Sequence, residues 1–116
     1  MFSVEYYVKQ DGSCPVEEFI LSLDDKMQAK IFRSLELLEE FGNQLREPHS
    51  KQLIDGIYEL RVKQSSNITR VLYFFYINKK IILTNGFIKK TQNTPERQID
   101  IAKKRRFEYL KREGRK

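Results

Sequence analysis

The sequence predicts an α+β domain of order β-α-α-β-β-β-α, in which a small, mostly antiparallel, twisted sheet packs against a helical hairpin and a C-terminal helix. Three observations predict this fold. Apolar residues recur at helical spacing between residues 15 and 41, three β-type segments follow between residues 57 and 87, and another helical segment starts after residue 94. With 116 residues and 40% hydrophobic content, the chain can build one modest core. We therefore expect a single domain over residues 1–116.

The N-terminal part predicts a short strand followed by two helices. Residues 1–8 alternate as a strand does and end at a turn over residues 11–13. Pro15 suits the first position of a short helix, and Asp24 can cap a second one that Gly42 ends. The second helix carries an apolar stripe that must lie on a sheet: Met27, Ile31, Leu35 and Leu38, widened by Phe32 and Phe41.

The middle of the chain predicts three consecutive strands. In residues 57–63, strict alternation places Tyr58, Leu60 and Val62 on a core face, and Glu59, Arg61 and Lys63 on a wet, charged face. Residues 68–77 are apolar on both faces, as in a central strand. A tight turn at Asn78-Lys79 predicts a hairpin, with residues 80–87 as the last strand.

The C-terminal segment predicts a basic helix. Thr94 can serve as its N-cap, immediately before Pro95 and Glu96. Its predicted apolar face consists of Ile99, Ala102, Phe107 and Leu110, and the run KKRR at residues 103–106 is expected on a solvated face. Residues 113–116 are expected to fray.

Positive charge is concentrated in the second half of the chain. Residues 1–58 carry six Lys/Arg against eleven Asp/Glu, whereas residues 59–116 carry 16 against five, so the net charges are −5 and +11. This asymmetry favours a polyanionic partner such as nucleic acid, although a merely solvated basic surface gives the same count.

Several classes of function are disfavoured by composition. A single cysteine, Cys14, excludes an internal disulfide, and a single histidine, His49, leaves too few soft ligands for a zinc site. We expect neither a metal nor a small-molecule cofactor. No apolar window is long enough for a membrane span, and the N-terminus does not resemble a secretory signal. We therefore expect a soluble, cytoplasmic protein that does not contact a membrane.

The predicted hairpins bring cations from separate strands together. If the turns are as described, Arg70 lies beside residues 87–89 and Arg61 lies opposite the region of Arg70. Crowded cations favour a phosphate-binding surface, because arginine donates two parallel hydrogen bonds to a phosphate. Tyr73 and Tyr76 could stack on a base, or could simply belong to the core.

Three segments of the sequence resemble a known family in the expected order, from about residue 4 to residue 109. They are PVEEFILSLDDKMQAKIFRSLELLEEFG, KQLIDGIYELRV and TRVLYFFYINKKIILTNGFIKKTQNTP, and their most specific parts are DGxYELR, RxLYFF and GFxKKTxxxP. Together they resemble the phage-derived (phage gene-product-49-like), HigB-type branch of the RelE/ParE toxin superfamily.

The resemblance implies a RelE-like fold and the toxin of a type II toxin-antitoxin module. Such a toxin is a ribosome-dependent, metal-independent endoribonuclease that cuts mRNA and inhibits translation. The implied partners are the ribosome, mRNA and a helix-turn-helix antitoxin protein. Two other functions stay open: a ParE-like, non-nucleolytic inhibitor of DNA gyrase, and an inactive RNA-binding relative.

The resemblance also implies roles for individual residues. Arg70 would hold the scissile phosphate, with Arg61 contacting phosphate nearby. Lys89 or Lys90 would transfer a proton or stabilise charge, since neighbouring cations lower the pKa of a lysine. Tyr73 would stack on a base or act as an acid, and a catalytic role for His49 stays open. The expected nucleic-acid contacts are Lys51, Lys63, Thr91, Lys103 and Arg106.

Overall fold

The fold is a five-stranded mixed sheet with helices on both faces, as described by a computed structural model for residues 1–114. The strands are β1 (Ser3–Tyr6), β2 (Ser50–Ile54), β3 (Ile57–Gln64), β4 (Asn67–Tyr76) and β5 (Lys80–Ile88). The helices are α1 (Pro15–Leu21), α2 (Asp25–Phe41) and α3 (Glu96–Glu113). The predicted fraying of residues 113–116 is only partly addressed, because residues 115 and 116 lie outside the described residues.

The sheet has the order β1-β5-β4-β3-β2, with β1 parallel to β5 and every other pair antiparallel. The predicted α+β class and mostly antiparallel sheet are therefore confirmed. Strand β2 was not predicted. Its five residues show little apolar alternation, and as an edge strand it needs a partner on one side only, which β3 supplies.

One face of the sheet is covered by the predicted helical hairpin. Asp24 caps α2 by accepting a hydrogen bond from the Met27 amide at 2.8 Å, and Gly42 is its C-cap. The predicted stripe of α2 is buried at Met27, Ile31, Leu35 and Leu38. Phe32 and Phe41 only flank it, with 43% and 44% of their surface exposed. Leu60, Val62 and Tyr73 meet this stripe from the sheet.

The other face of the sheet is covered by α3, whose predicted apolar face was partly wrong. Ala102 and Tyr109 are buried, whereas Phe107 and Leu110 are 67% and 43% exposed. The helix is rotated so that the Tyr109 ring packs edge-on against Phe74 and Tyr76, with centroids 5.7 and 5.2 Å apart. Aromatic packing on the sheet thus decides which side of the helix is buried.

The register of the β4–β5 hairpin decides which residues meet near the candidate site. The turn spans residues 77–79, so Tyr76 lies opposite Lys80, one residue away from the predicted pairing of Ile77 with Lys80. A β-bulge between Leu72 and Tyr73 then shifts the register. As a result Arg70 lies opposite Phe87, in agreement with the prediction that it adjoins residues 87–89.

Candidate functional site

The strand register brings the predicted cations to the face of the sheet that α3 covers. Arg61 and Arg70 are cross-strand partners on β3 and β4, and directly opposed residues point to the same face. Arg70 is also opposite Phe87, which belongs to the core beneath α3. Lys51 on β2 lies opposite Glu59, two residues before Arg61, and so shares this face.

The last two basic positions on this face lie at one end of the strands. Lys63 is opposite Ile68 on β4. The backbone amide of Lys89, just after β5, donates to the carbonyl of Ile68 at 2.9 Å and continues the same row. Five basic residues from four strand segments therefore share one surface, which we call the basic face: Lys51, Arg61, Lys63, Arg70 and Lys89.

A cavity of about 350 Å³ opens on the basic face. Its charged lining comes from Lys51, Glu59, Arg61 and Lys89. The remaining wall is formed by the β5–α3 loop, including Thr94, and by apolar side chains of β2 and α3, including Ile99. The cavity thus places cations beside apolar and amide-bearing surface, a combination that suits a phosphate joined to a flat organic group.

Glu59 lies at the centre of this site, and the sequence prediction of a wet position for it was wrong. Its exposed fraction is 1%, because the loop before α3 covers this part of the sheet. Its Oε2 accepts a hydrogen bond from Arg61 Nε at 2.9 Å, and its Oε1 lies 3.5 Å from Arg70 Nε. Thr94 Oγ1 also donates to Oε1. The one available signal was its position on the same strand face as Arg61, two residues away.

Arg61 reaches from the centre of the site to its edge. Its Nε bonds to Glu59, while its Nη1 bonds to Glu47 at 3.0 Å. The Glu47 side chain is 63% exposed, whereas that of Glu59 is 2% exposed. Solvent and salt therefore weaken the Glu47 pair far more than the Glu59 pair.

Arg70 lies deeper than its predicted role requires. It is 7% exposed and is not among the residues that line the cavity, although its Nε lies 3.5 Å from Oε1 of Glu59, which does line it. Its Nη1 donates to the carbonyl of Thr69 at 3.1 Å, and its Nε has no hydrogen-bond partner among the described residues. Burial lowers the pKa of Arg70, and nearby Glu59 opposes that shift. Arg70 therefore acts on the cavity through its positive charge, which lowers the pKa of Lys89, rather than by lining it.

Lys89 and Lys90 are separated by their surroundings. Lys89 is half-buried and lines both this cavity and a neighbouring groove, whereas Lys90 is exposed and lines the groove alone. Partial burial lowers the pKa of Lys89, and the positive charge of Arg70 lowers it further. The neutral form of Lys89 is thus favoured inside the site, as a proton acceptor requires.

Tyr73 lies on the opposite face of the sheet, away from the cations. It is 1% exposed, stacks on Tyr58 with ring centroids 5.5 Å apart, and shares a 2.5 Å hydrogen bond with the Ser50 hydroxyl. Burial raises the pKa of Tyr73 to about 12. The expected stacking or acid role thus has no geometric support, whereas the core alternative does.

The remaining predicted residues are more scattered. Thr91 is exposed, and its hydroxyl donates to the Asn93 carbonyl at 2.8 Å within the loop. Lys103 and Arg106 both contact Asp55, in the turn between β2 and β3. The KKRR run is therefore less solvated than expected, since Arg105 also donates to the Thr84 carbonyl at 2.8 Å.

Two other residues of this region were singled out from the sequence: His49, whose catalytic role was left open, and Thr94, as an N-cap. His49 is exposed next to β2, and its backbone carbonyl accepts from the Arg61 amide at 2.8 Å. The proposed N-cap Thr94 was wrong: α3 begins at Glu96 with Pro95 as N-cap, and the Thr94 hydroxyl is used by Glu59 instead.

Within residues 1–114, no group of three or more His, Cys, Asp or Glu side chains is arranged to hold a metal ion. In the same range, no helix is long and apolar enough to cross a membrane.

Comparison with known proteins identifies a family. The family model described as phage-derived protein Gp49-like (DUF891) matches residues 18–107, which include all four charged residues of the cavity. This family is associated with the toxins of toxin-antitoxin systems. No curated protein matches the chain.

Proposed function

The chain belongs to the phage-derived Gp49-like family, and from that premise we propose that it is a type II toxin of the HigB-type branch of the RelE/ParE superfamily. Its activity is ribosome-dependent, metal-independent cleavage of mRNA, which inhibits translation. One observation carries the proposal: Lys51, Arg61 and Lys89 line a single cavity, and Arg70 Nε lies 3.5 Å from the carboxylate of Glu59, which lines the same cavity. Such a site suits a phosphate that gains negative charge during reaction.

The chemistry needs four groups from the chain. The 2′ oxygen of one nucleotide attacks the adjacent phosphorus, its proton passes to the neutral amine of Lys89, and the bond to the 5′ oxygen breaks. Arg61 hydrogen-bonds the phosphorane oxygens, and buried Arg70 adds positive charge. The departing 5′ oxygen takes a proton from the ammonium group of Lys90 in the adjoining groove. The products are a 2′,3′-cyclic phosphate and a 5′-hydroxyl end.

The shape and charge of the molecule support single-stranded RNA on the ribosome as the substrate. A cavity of about 350 Å³ accommodates an unstacked nucleotide rather than a duplex. The net charge of +11 on residues 59–116 favours approach to ribosomal RNA. Lys63 and Thr91 extend the nucleic-acid contact beyond the cavity, and Lys103 and Arg106 extend it along α3.

The proposal is tested by cleavage of a defined mRNA with the purified protein. Cleavage is expected when ribosomes translate the message, and not on free mRNA. Lys89→Gln is expected to lower kcat by about 10²-fold or more, as for loss of a proton-transfer group. Lys26→Gln, with the same charge change on the exposed side of α2, is the matched control. Intact mRNA under translating conditions would contradict the proposal.

Arg70→Ala tests the proposed activity less clearly than Lys89→Gln does. Because Arg70 is buried beside Glu59, its removal leaves a buried carboxylate with one fewer cation, and destabilisation of about 3–5 kcal/mol is typical of such a broken pair. Relief of growth arrest by Arg70→Ala therefore has to be accompanied by proof of folding. Arg61→Gln and Lys89→Gln alter less buried side chains and give clearer results.

The proposed protein partner is a helix-turn-helix antitoxin. Membership of a toxin-associated family suggests such a partner. An acidic segment of the antitoxin would complement the basic face and exclude RNA from the cavity. Coexpression with the product of a neighbouring gene is expected to yield a stable complex that lacks nuclease activity. Active toxin within that complex would contradict this role for the basic face.

A further inference from the structure

Glu59 joins three parts of the chain that are distant in sequence. It projects from β3, contacts Arg70 on β4, and accepts a hydrogen bond from Thr94 in the segment between β5 and α3. Its own strand contributes Arg61, two residues away. With 1% of its surface exposed, this carboxylate is insulated from bulk water, so its interactions are screened far less than those of a surface acid.

The two oxygens of Glu59 have different partners. Oε2 lies 2.9 Å from Arg61 Nε, which fixes the direction of that guanidinium group. Oε1 lies 3.5 Å from Arg70 Nε and also accepts from the Thr94 hydroxyl. A buried charge is retained at a cost in free energy, and here its contacts orient two cations that would otherwise repel each other.

We infer that Glu59 is a positioning residue of this site, which holds Arg61, Arg70 and the Thr94 segment in one arrangement so that the reacting phosphate meets donors already in place. The inference rests on the proposed nuclease function and adds a residue that acts through the arginines. Fixed donors stabilise a transition state without reorganising at the moment of reaction, which is where most electrostatic catalysis arises.

A positioning role predicts that substitution of Glu59 affects KM and kcat differently. Glu59→Gln keeps the size of the side chain but removes a negative charge from a basic cavity. RNA is attracted at least as strongly, so KM stays the same or falls. The arginines lose their fixed directions, so kcat falls. A residue that merely contributed to RNA affinity would raise KM instead.

The experiment measures kcat and KM on translating ribosomes for the wild type, Glu59→Gln and two comparison variants. Glu59→Gln is expected to lower kcat by about 10²-fold, as for loss of one preorganised donor, with KM unchanged or lower. Glu47→Gln removes the exposed partner of the same arginine and is expected to cause a much smaller loss. Glu40→Gln, on the exposed side of α2, controls for the charge change. Wild-type kcat in Glu59→Gln, or a loss confined to KM, would overturn the inference.

A second pair of variants decides the matter if Glu59→Gln does not fold. Thr94 is only half-buried, so Thr94→Val removes the hydroxyl at little cost to packing, and Thr94→Ser retains it. We expect Thr94→Val to lower kcat and Thr94→Ser to keep most of it, with similar KM values. Equal kcat in the two variants would overturn the inference.

The outcomes distinguish the inference from the function on which it rests. A wild-type protein that leaves mRNA intact on ribosomes refutes the nuclease itself. An active wild type together with an equally active Glu59→Gln refutes only the positioning role. The Nε–Hε NMR resonance of Arg61 gives a readout without substrate: we expect an exchange-protected signal in the wild type and its loss in Glu59→Gln, because Arg61 Nε donates to Glu59. Persistence of this protected signal in the variant would count against the inference.

Discussion

Lys89 is the first residue after β5, at the start of the loop that leads to α3, and it is half-buried near other cations. Burial is the main cause of its lowered pKa, and the charge of Arg70 comes second. The negative charge of Glu59 raises the pKa of Lys89 and so opposes part of this shift. The neutral form of Lys89 is therefore more populated at a given pH than that of an ordinary lysine, which suits a proton acceptor.

The pH dependence of cleavage follows from this shift. Because a general base must be unprotonated, kcat/KM is expected to rise with pH, with the midpoint of the rise below 10.5, the ordinary lysine pKa. Lys89→Gln is expected to lack that rising limb. A pH profile of kcat/KM for both proteins checks the assignment. A rising limb of the same midpoint in Lys89→Gln would assign the base to another group.

Tyr73 provides the opposite test, because its hydroxyl is buried on the other side of the sheet. Tyr73→Phe is expected to leave kcat/KM within about twofold of the wild type. The lost hydrogen bond to buried Ser50 is expected to cost about 1 kcal/mol of unfolding free energy. Urea denaturation and the mRNA assay measure the two quantities. A loss of activity comparable to that of Lys89→Gln, in a folded protein, would restore a catalytic role to Tyr73.

At alkaline pH, Tyr73→Phe is also expected to differ from the wild type in how its stability depends on pH. The pKa of Tyr73 is raised from 10.0 to about 12 on folding, so the protonated form favours the folded state. This contribution to stability is fully present below pH 10 and is lost as the pH rises towards about 12. Tyr73→Phe is therefore expected to lose less stability than the wild type over that interval, as measured by urea denaturation. Equal losses would contradict the assigned shift.

For individual residues, the sequence predicted which strand face the charged side chains share, but not how deeply each side chain is buried. Arg61 and Lys89 were correctly placed on one surface because alternation and turns determine the face of a strand. The burial of Glu59 depends on the loop that crosses above it, and alternation along β3 carries no information about that loop.

Between elements, α1 packs closely against β5. Gly86 faces α1, and a Cβ atom built there would lie 2.4 Å from the Phe19 ring. The missing side chain therefore lets the helix approach the strand that leads into Lys89. Packing of this kind ties the geometry of the basic face to the helical layer on the other side of the sheet.

Gly86→Ala is expected to destabilise the protein by about 1–3 kcal/mol, the usual cost of overpacking a close contact. Phe19→Leu in the same chain is expected to recover part of that loss, since the smaller side chain can yield to the new methyl group. A double-mutant cycle by urea denaturation measures the coupling. Strictly additive effects of the two substitutions would contradict the contact.

Helices and strands were predicted correctly where local residues determine them, and incorrectly where distant contacts do. The bounds of α1 and α2 followed from Pro15, Asp24 and Gly42, whose effects on helix ends are local. Strand β2 was missed because pairing with β3, rather than its own pattern, makes it a strand. The buried side of α3 was misjudged because Tyr109 gains its partners from β4, far away in the sequence.

Over the whole molecule, the order of the strands separates the basic part of the chain from the acidic part. The order β1-β5-β4-β3-β2 places the three strands of the basic, second half of the chain side by side. It also leaves the acidic helical hairpin, with three Lys/Arg against seven Asp/Glu in residues 15–41, on the opposite face. The molecule is therefore polarised across its sheet, which orients it as it approaches a polyanion.

This polarity predicts a salt dependence that belongs to particular residues. Binding to single-stranded RNA is expected to weaken with salt, and removal of one phosphate-contacting cation is expected to reduce the slope of log K against log salt by about 0.7. Lys51→Gln and Lys63→Gln are each expected to cause that change. Lys26→Gln, on the hairpin side, is expected to leave the slope unaltered. Equal slopes in all three variants would contradict a defined RNA-binding face.

The most direct test of the central claim is to map the 5′ ends of cellular mRNA by primer extension after the protein is expressed. We predict cuts within translated regions, at a fixed position relative to the reading frame, which disappear with Lys89→Gln. Growth arrest with intact mRNA and an induced DNA-damage response would contradict the claim and indicate inhibition of DNA gyrase instead.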